Sequence, residues 1–246
     1  MDNHIYGIRP LIEAIEKGDI PEKVLIQKGL QGENYLRLFS MVRKLKIPFQ
    51  QVPIEKLNRV AKKNHQGIVA FLPVIEYGSL EVLLPDVFNS GGLPLLVILD
   101  GITDVRNLGA IARSAECAGA HAIVIPTKGG AAVNADAMKT SAGALSRISV
   151  CREESILQAI AFIQECGIRV IACDEKGSVP VYNASLTGPV ALVVGAEDKG
   201  ISPAVRKMSD QVVSIPMKGR IASLNVSVAT GIILFETLRQ RNVNNQ

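Results

Sequence analysis

The chain has 246 residues, 48% of them hydrophobic and 20% charged, which excludes a disordered polymer and leaves one or two globular domains with ample core. No apolar run approaches the roughly 20 residues of a membrane span, and the N-terminus lacks the pattern of a signal peptide, so a cytoplasmic protein is expected. The net charge of +4 is mild but uneven: residues 1–75 carry 12 Lys and Arg against 7 Asp and Glu, the remainder 15 against 16.

Residues 1–75 read as a small α/β domain. Pro10 to Lys17 has the spacing of a short helix ending at Gly18, and Val24 to Gln27 is a strand. Tyr35 to Leu45 is helical until Ile47-Pro48. A short run near Phe49 to Val52, a helix over Ile54 to Lys62 and a buried strand over Gly67 to Leu72 follow. Arg43, Lys44 and Lys46, then Lys56, Arg59, Lys62 and Lys63, form a basic face. Such a face can track a phosphate backbone or simply be solvated helix surface. Residues 76–91 lose periodicity and end in Asn89-Ser90-Gly91-Gly92-Leu93-Pro94, so they are expected to be a linker.

Residues 92–246 alternate regularly. Strands are expected at Leu95–Leu99, Ala122–Ile125, Arg169–Cys173, Val190–Val194 and Val212–Ile215. Helices are expected near Leu108–Ala118, Asn134–Ala144, Ile156–Cys166, Pro203–Met208 and Asn225–Arg239. Runs of Val and Ile without alternation indicate a parallel sheet buried on both faces, with helices on each side. The expected class is α/β.

Several chemistries are disfavoured. No GxGxxG follows the first strand and no GxxxxGK[ST] occurs, so a pyrophosphate-bearing cofactor lacks its cradle. No GxSxG elbow is present, and none of His4, His65 and His121 stands where it would activate a serine. Cys117, Cys151, Cys166 and Cys173 form no CxxC pair and have no metal-ligand spacing, so they are expected to be reduced, mostly buried thiols, with no metal site.

Three polar clusters remain, each after an apolar strand: Asp104 to Gly109 with Arg113, Gly195 to Gly200, and Ile215 to Gly219 leading to Ser223-Leu224-Asn225. In an open parallel sheet the loops at the strands' carboxyl ends share one edge, where ligands bind. Taken singly each residue has a plainer use: Asn107 as a helix cap, Arg113 in a surface pair with Glu116, Glu197 as a turn carboxylate, Asn225 as the cap of the last helix.

Together the segments resemble the three signature motifs of the SpoU (TrmH-like) family of RNA ribose 2′-O-methyltransferases, in the knotted SPOUT superfamily. They are Asp104-Val105-Arg106-Asn107-Leu108-Gly109-Ala110-Ile111-Ala112-Arg113, Val193-Val194-Gly195-Ala196-Glu197-Asp198-Lys199-Gly200, and Ile215-Pro216-Met217 through Ser223-Leu224-Asn225-Val226-Ser227. Ile5-Tyr6-Gly7 and His65-Gln66-Gly67-Ile68-Val69-Ala70 are similar to the L30e-like substrate-binding domain of that family, in the branch that modifies a guanosine of large-subunit (23S) ribosomal RNA.

The resemblance implies a C-terminal α/β knot, a homodimer and S-adenosyl-L-methionine as cofactor, lined by Ala172, Cys173, Val194, Gly195, Ile215, Met217 and Leu224. It implies catalytic roles for Arg113, Asn107, Glu197, Ser223 and Asn225, no metal, and structured RNA as partner. Relatives are thought to use the motif-one arginine as base, but guanidinium holds its proton tightly. A less demanding scheme has Arg113 stabilise the developing alkoxide and clamp the phosphate, oriented by Glu197 or Asn107, while Ser223 and Asn225 position the ribose. Transfer RNA as substrate, or a non-catalytic RNA-binding protein on the same fold, are the alternatives.

Overall fold

A computed structural model of the chain describes residues 4–62, 64–220 and 223–243. Lys63 of the basic run and Ile221 and Ala222 within the third motif lie outside them. Packing divides the chain after Val74 into two units.

The first unit contains β1 (His4–Tyr6), α1 (Ile8–Glu16), β2 (Lys23–Gln27), α2 (Glu33–Lys44), β3 (Phe49–Val52), α3 (Ile54–Val60) and β4 (Ile68–Phe71). Its sheet runs β1-β4-β2-β3, with β2 and β3 parallel and the other pairs antiparallel. Strand alternation sorts the core. Val24 and Ile26 meet Leu11, Ile15 and Leu38 of α1 and α2, while Leu25 meets Leu57 of α3.

β1 was not legible from periodicity, because three residues cannot display an alternation. It forms by pairing Ile5 with Ala70, so the two segments that carried the resemblance in this region are neighbours in the sheet. Gly67, in the turn before β4, has φ of 81°, a left-handed conformation that favours glycine. His65 is buried, its Nδ1 accepting from the Gly67 N–H at 3.1 Å and its Nε2 meeting Asn58 Oδ1 at 2.8 Å. That is a structural imidazole.

The second unit begins with a correction. Residues 76–91 are no linker: they hold α4 (Leu80–Asn89), whose Leu80 and Leu84 are buried against Leu96 and Ile98 of the sheet. Pro85 inside the helix and the flanking Glu81 and Asp86 hid the spacing.

There follow β5 (Leu95–Asp100), α5 (Val105–Cys117), β6 (Ala122–Pro126), α6 (Ala135–Thr140), β7 (Ser149–Glu153) and α7 (Ile156–Glu165). The remainder is β8 (Arg169–Cys173), β9 (Val179–Pro180), β10 (Val190–Gly195), α8 (Pro203–Met208), β11 (Gln211–Ser214) and α9 (Val226–Val243).

These strands form one parallel sheet in the order β7-β6-β5-β10-β8-β11-β9, buried on both faces as the unbroken Val and Ile runs predicted. β7 escaped prediction because this edge strand, Ser-Val-Cys-Arg-Glu, buries only Val150 and Cys151. The helix expected over Asn134–Ala144 is shorter. Asn134 caps it by accepting from Asp136 N and Ala137 N, and Ala142 and Gly143 turn left-handed at φ 50° and 88° to end it.

Two contacts fix the end of the sheet opposite the site. His121 Nδ1 accepts from Leu95 N at 3.1 Å, and burial followed by the charge of Arg241 holds its pKa below the usual imidazole range. Arg241, in the last turn of α9, donates to the carbonyls of Leu93 and Pro94 at 2.9 Å and of Gly188 at 2.8 Å. The cysteines are all free, yet only Cys151 is fully buried, its thiol pushed up to about 12 chiefly by that burial. Cys117 is exposed on α5, against the expectation of mostly buried thiols. No described helix is long and apolar enough to cross a membrane.

Candidate active site

The order β5-β10-β8-β11 places four carboxyl ends side by side, so the segments that follow them open on one edge. At the centre, Gly195 ends β10 and the chain doubles back on itself at once. A Cβ on Gly195 would lie 2.2 Å from the Gly200 carbonyl carbon, a distance no side chain tolerates. Gly200 N closes the turn onto Ala196 O at 2.7 Å. Ala196 N and Ser202 N then bond to the Asp100 carbonyl (3.2 Å) and Asp100 Oδ2 (2.7 Å), fastening the second motif to the end of β5.

Beside this turn lies a cavity of about 240 Å³. Cys173, Val194, Gly195, Ile215, Met217 and Leu224 contribute to its wall, and Glu197 and Ser223 to its rim. Ala172, grouped with them on sequence position, does not line it. Successive residues of β8 face opposite sides of the sheet, and Ala172 packs into the core on the other face with Ala191 and Val193. The Cys173 thiol is raised by burial and by neighbouring Asp174, so it is an inert wall group.

Asn107, Glu197 and Asn225 meet at the mouth, though they lie far apart in sequence. Asp104 caps α5, its side chain accepting from Arg106 N at 2.8 Å, so the capping role considered for Asn107 is filled by another residue. Asn107 Oδ1 instead accepts from Asn225 Nδ2 at 3.1 Å, and the same amide donates to Glu197 Oε1. Glu197 also accepts from Val226 N at 3.4 Å. Asn225 does cap α9, its Oδ1 accepting from Ser227 N at 2.9 Å and Ser227 Oγ at 2.5 Å. The Asn225 amide thus caps α9 with its oxygen and joins Asn107 to Glu197 with its nitrogen.

Arg113 is not part of this cluster. It lies six residues beyond Asn107 on α5, about 9 Å along the axis, and is exposed. Among the described residues it has no ion pair; Glu116 instead faces Arg147 at 3.9 Å. Neither Glu197 nor Asn107 orients it within one chain.

Sequence reasoning missed Asp174 and Arg206. Arg206 of α8 donates to Asp174 Oδ2 at 2.5 Å in the cavity wall, where the Asp174 side chain is 4% exposed. Asp174 Oδ1 accepts from Lys176 N at 2.9 Å, and Arg206 Nε is buried without an acceptor. The position of Asp174, directly after β8 at the site edge, was a usable signal; nothing in the sequence singled out Arg206. Among the described residues no group of three His, Cys, Asp or Glu side chains is placed to hold a metal.

An open parallel α/β sheet with a slot and an amide–carboxylate cluster at its carboxyl edge is the outline of an α/β protein that binds its ligand at the strand ends. The model of the SpoU rRNA methylase family matches residues 94–235, and that of RNA 2′-O ribose methyltransferase substrate binding matches residues 4–77. The chain belongs to the SpoU rRNA methylase family. It is 38% identical over 249 residues to the 23S rRNA (guanosine-2′-O-)-methyltransferase RlmB of Escherichia coli K12, covering 98% of this chain and 100% of that protein.

Among solved structures it is similar to the SpoU methyltransferase AviRb of Streptomyces viridochromogenes in complex with AdoMet. The TM-score is 0.63 at 26% identity, over 98% of this chain and 90% of that one. It is also similar to the A. aeolicus TrmH/SpoU tRNA modifying enzyme, with TM-score 0.57 and 30% identity over 68% of this chain and 86% of that one.

The cavity fits the cofactor of this family, S-adenosylmethionine. Its aliphatic residues suit a purine, while Lys176, Lys199 and the Asp174-paired Arg206 share the lining with the carboxylates Glu175, Glu197 and Asp198, a mixed charge that suits the zwitterionic methionine end of that cofactor.

Proposed function

We propose that the protein methylates the ribose 2′-hydroxyl of a guanosine in 23S ribosomal RNA, using S-adenosylmethionine. The observation that carries this reading is the Asn107–Glu197–Asn225 cluster at the mouth of the aliphatic slot. When bound, S-adenosylmethionine supplies a methyl group already activated on a sulfonium. What remains for the chain is alignment, an effect worth up to about 7–11 kcal/mol in favourable systems. Cys173, Val194, Gly195, Ile215, Met217 and Leu224 hold the nucleoside, Ser223 orients the ribose, and Asn225, whose own amide is fully bonded, acts by holding Asn107 and Glu197 toward it. Glu197 is kept in place by the Asn225 amide and the first backbone N–H of α9.

Arg113 stabilises the oxyanion that develops as the 2′-hydroxyl loses its proton, and clamps the adjacent phosphate. Because it stands apart from the cluster of its own chain, it acts in a homodimer, across the subunit boundary. Support for such a dimer comes from α9, where Val228 and Phe235, 51% and 49% exposed, mark an apolar stripe. α5 packs alongside: Ser114 Oγ lies 3.7 Å from the Cβ position of Gly231. Residues 174–177 pack hard against β11, where a Cβ on Gly177 would meet the Val213 carbonyl carbon at 2.4 Å, a closeness that a knotted arrangement of this edge requires. The basic first unit, residues 1–75, holds the RNA, residues 92–246 carry the transfer reaction, and the protein works in the cytoplasm.

The test is methyl transfer from radiolabelled S-adenosylmethionine to unmodified 23S rRNA and to transfer RNA, comparing wild type with Arg113→Ala. Label recovered as 2′-O-methylguanosine from 23S rRNA, and lost in the variant, is expected. Label in transfer RNA alone would overturn the substrate. Binding of S-adenosylhomocysteine without transfer to either RNA, or to ribosomal precursor particles, would overturn the reaction.

A further inference from the structure

The chain has six Phe, four Tyr and no Trp, too few rings for broad stacking on RNA, yet three of them meet on one surface of the first unit. Tyr35 and Phe39, one turn apart on α2, stack with centroids 5.6 Å apart and planes at 30°. Phe49, at the start of β3, meets Phe39 edge-on at 5.1 Å. Arg43 lies over the Phe39 ring with its Cζ 5.3 Å from the centroid.

Part of this cluster is ordinary packing, since Tyr35 and Phe39 cover the core formed by α1, α2 and the sheet. Phe49 has no such duty. β3 is the outermost strand of its sheet, paired only with β2, and Phe49, Gln50 and Gln51 are all exposed, Phe49 at 38%. Strand alternation sends Val52 into the core on the α3 side and leaves Phe49 and Gln51 on the α2 side.

The charge around the rings identifies the occupant. Residues 34–54 contain Arg37, Arg43, Lys44 and Lys46 and no carboxylate. Arg37 is occupied by Glu16 at 2.5 Å, whereas Arg43 is aligned with the rings and Lys44 follows it in the last turn of α2. A partly exposed ring, an arginine over the adjoining Phe39 ring and an amide side chain on the same strand face make a seat for an unpaired base. The cations donate to the flanking phosphates and Gln51 reads a base edge. We infer that the Tyr35–Phe39–Arg43–Phe49 surface binds a single-stranded nucleotide of the RNA substrate by stacking its base on Phe49. This rests on the RNA-methylating reading and adds to it where, and by what chemistry, the first unit grips its substrate.

The experiment uses the full-length protein and two variants, Phe49→Leu, which keeps apolar bulk but removes the ring, and Arg43→Gln, a surface change that does not threaten the fold. Binding is measured by fluorescence anisotropy to a labelled oligoadenylate of about 12 nucleotides, to an abasic ribose-phosphate strand of equal length, and to a 23S rRNA transcript. Wild type should prefer the oligoadenylate to the abasic strand. Phe49→Leu should lose roughly tenfold on the oligoadenylate, weaken on the transcript, and leave the abasic strand and S-adenosylhomocysteine unchanged. Arg43→Gln should weaken all three nucleic acids.

Equal wild-type affinity for oligoadenylate and abasic strand, or a Phe49→Leu variant indistinguishable from wild type on the transcript, would overturn the inference. Methyl transfer by wild type, measured alongside, separates the two readings. Transfer without a Phe49 effect retires the stacking surface alone, and a Phe49 effect without any transfer retires the methylation reading alone.

Discussion

Replacing Asn225 by Asp separates the two jobs its side chain performs. An aspartate keeps the acceptor that caps α9 through Ser227 N, and a negative charge at a helix N-terminus adds about 0.3–1 kcal/mol. It loses the donor that reaches Asn107 and Glu197, and sets a second carboxylate against Glu197. Two such charges at about 4 Å repel by about 1 kcal/mol where water screens them, as at this exposed mouth.

The cap gain and the repulsion nearly cancel, but the two lost hydrogen bonds remain, so the fold should lose about 1–2 kcal/mol, roughly 2–8 °C in melting temperature for a chain of this size. Activity should not survive. With the amide donor gone, Asn107 and Glu197 lose their shared anchor, and each hydrogen bond to a charged group is worth about 1.5–3 kcal/mol, or roughly 10- to 150-fold in kcat/KM. Asn225→Ala is the comparison: it should lose the cap as well, costing about 1 kcal/mol more in stability. Thermal denaturation and steady-state methyl transfer on the three proteins decide the matter. An Asn225→Asp protein with wild-type kcat/KM would show that Asn225 is a helix cap and no more.

Gly195→Ala should force the turn at Gly200 to move, destabilising by about 1–3 kcal/mol through overpacking and weakening S-adenosylhomocysteine binding; urea unfolding with calorimetric titration checks both. Arg206→Met strands the nearly buried Asp174, and because Arg206 itself is 35% exposed the loss should fall near 2 kcal/mol, below the about 3–5 kcal/mol of a fully buried pair. Adding Asp174→Asn should recover much of it, and no recovery in urea titrations would mean the pair is not the source.

The lowered pKa of His121 means the unfolded chain binds its proton more readily, so stability should fall as pH drops below about 6.5. His121→Asn, which keeps an acceptor for Leu95 N, should flatten that slope, and an unchanged slope in melting temperature between about pH 7 and 5.5 would assign it elsewhere.

The sheet was legible wherever burial on both faces produced unbroken Val and Ile runs, as in β5, β8 and β10. It was illegible where pairing rather than pattern makes the strand, as in β1 and β7. Pro85 disguised α4, since a proline reads as punctuation even when the helix continues around it. At the site, residue types and their place after strands were enough to single out Asn107, Glu197, Ser223 and Asn225. Sequence could not say that one asparagine would serve as cap and hub at once, nor that Arg113 would stand clear of the others. The Ala172 side chain faces the opposite side of the sheet from Cys173, a distinction that strand alternation makes and sequence adjacency hides. The Asp174–Arg206 pair was out of reach, because its halves stand 32 positions apart with β9 and β10 between them.

α9 carries the hub of the site at its N-cap and, at its last turn, the Arg241 clasp on the carbonyls at 93, 94 and 188. Both ends of the sheet therefore wait for the same late-synthesised segment. During translation the first unit can close as soon as β4 emerges, because all of its strands lie within the first 71 residues. The nascent chain thus acquires its small N-terminal sheet well before the far half can assemble Asn107, Glu197 and Asn225. Capacity for chemistry arrives last and all at once, a sequence of events imposed by where one helix sits.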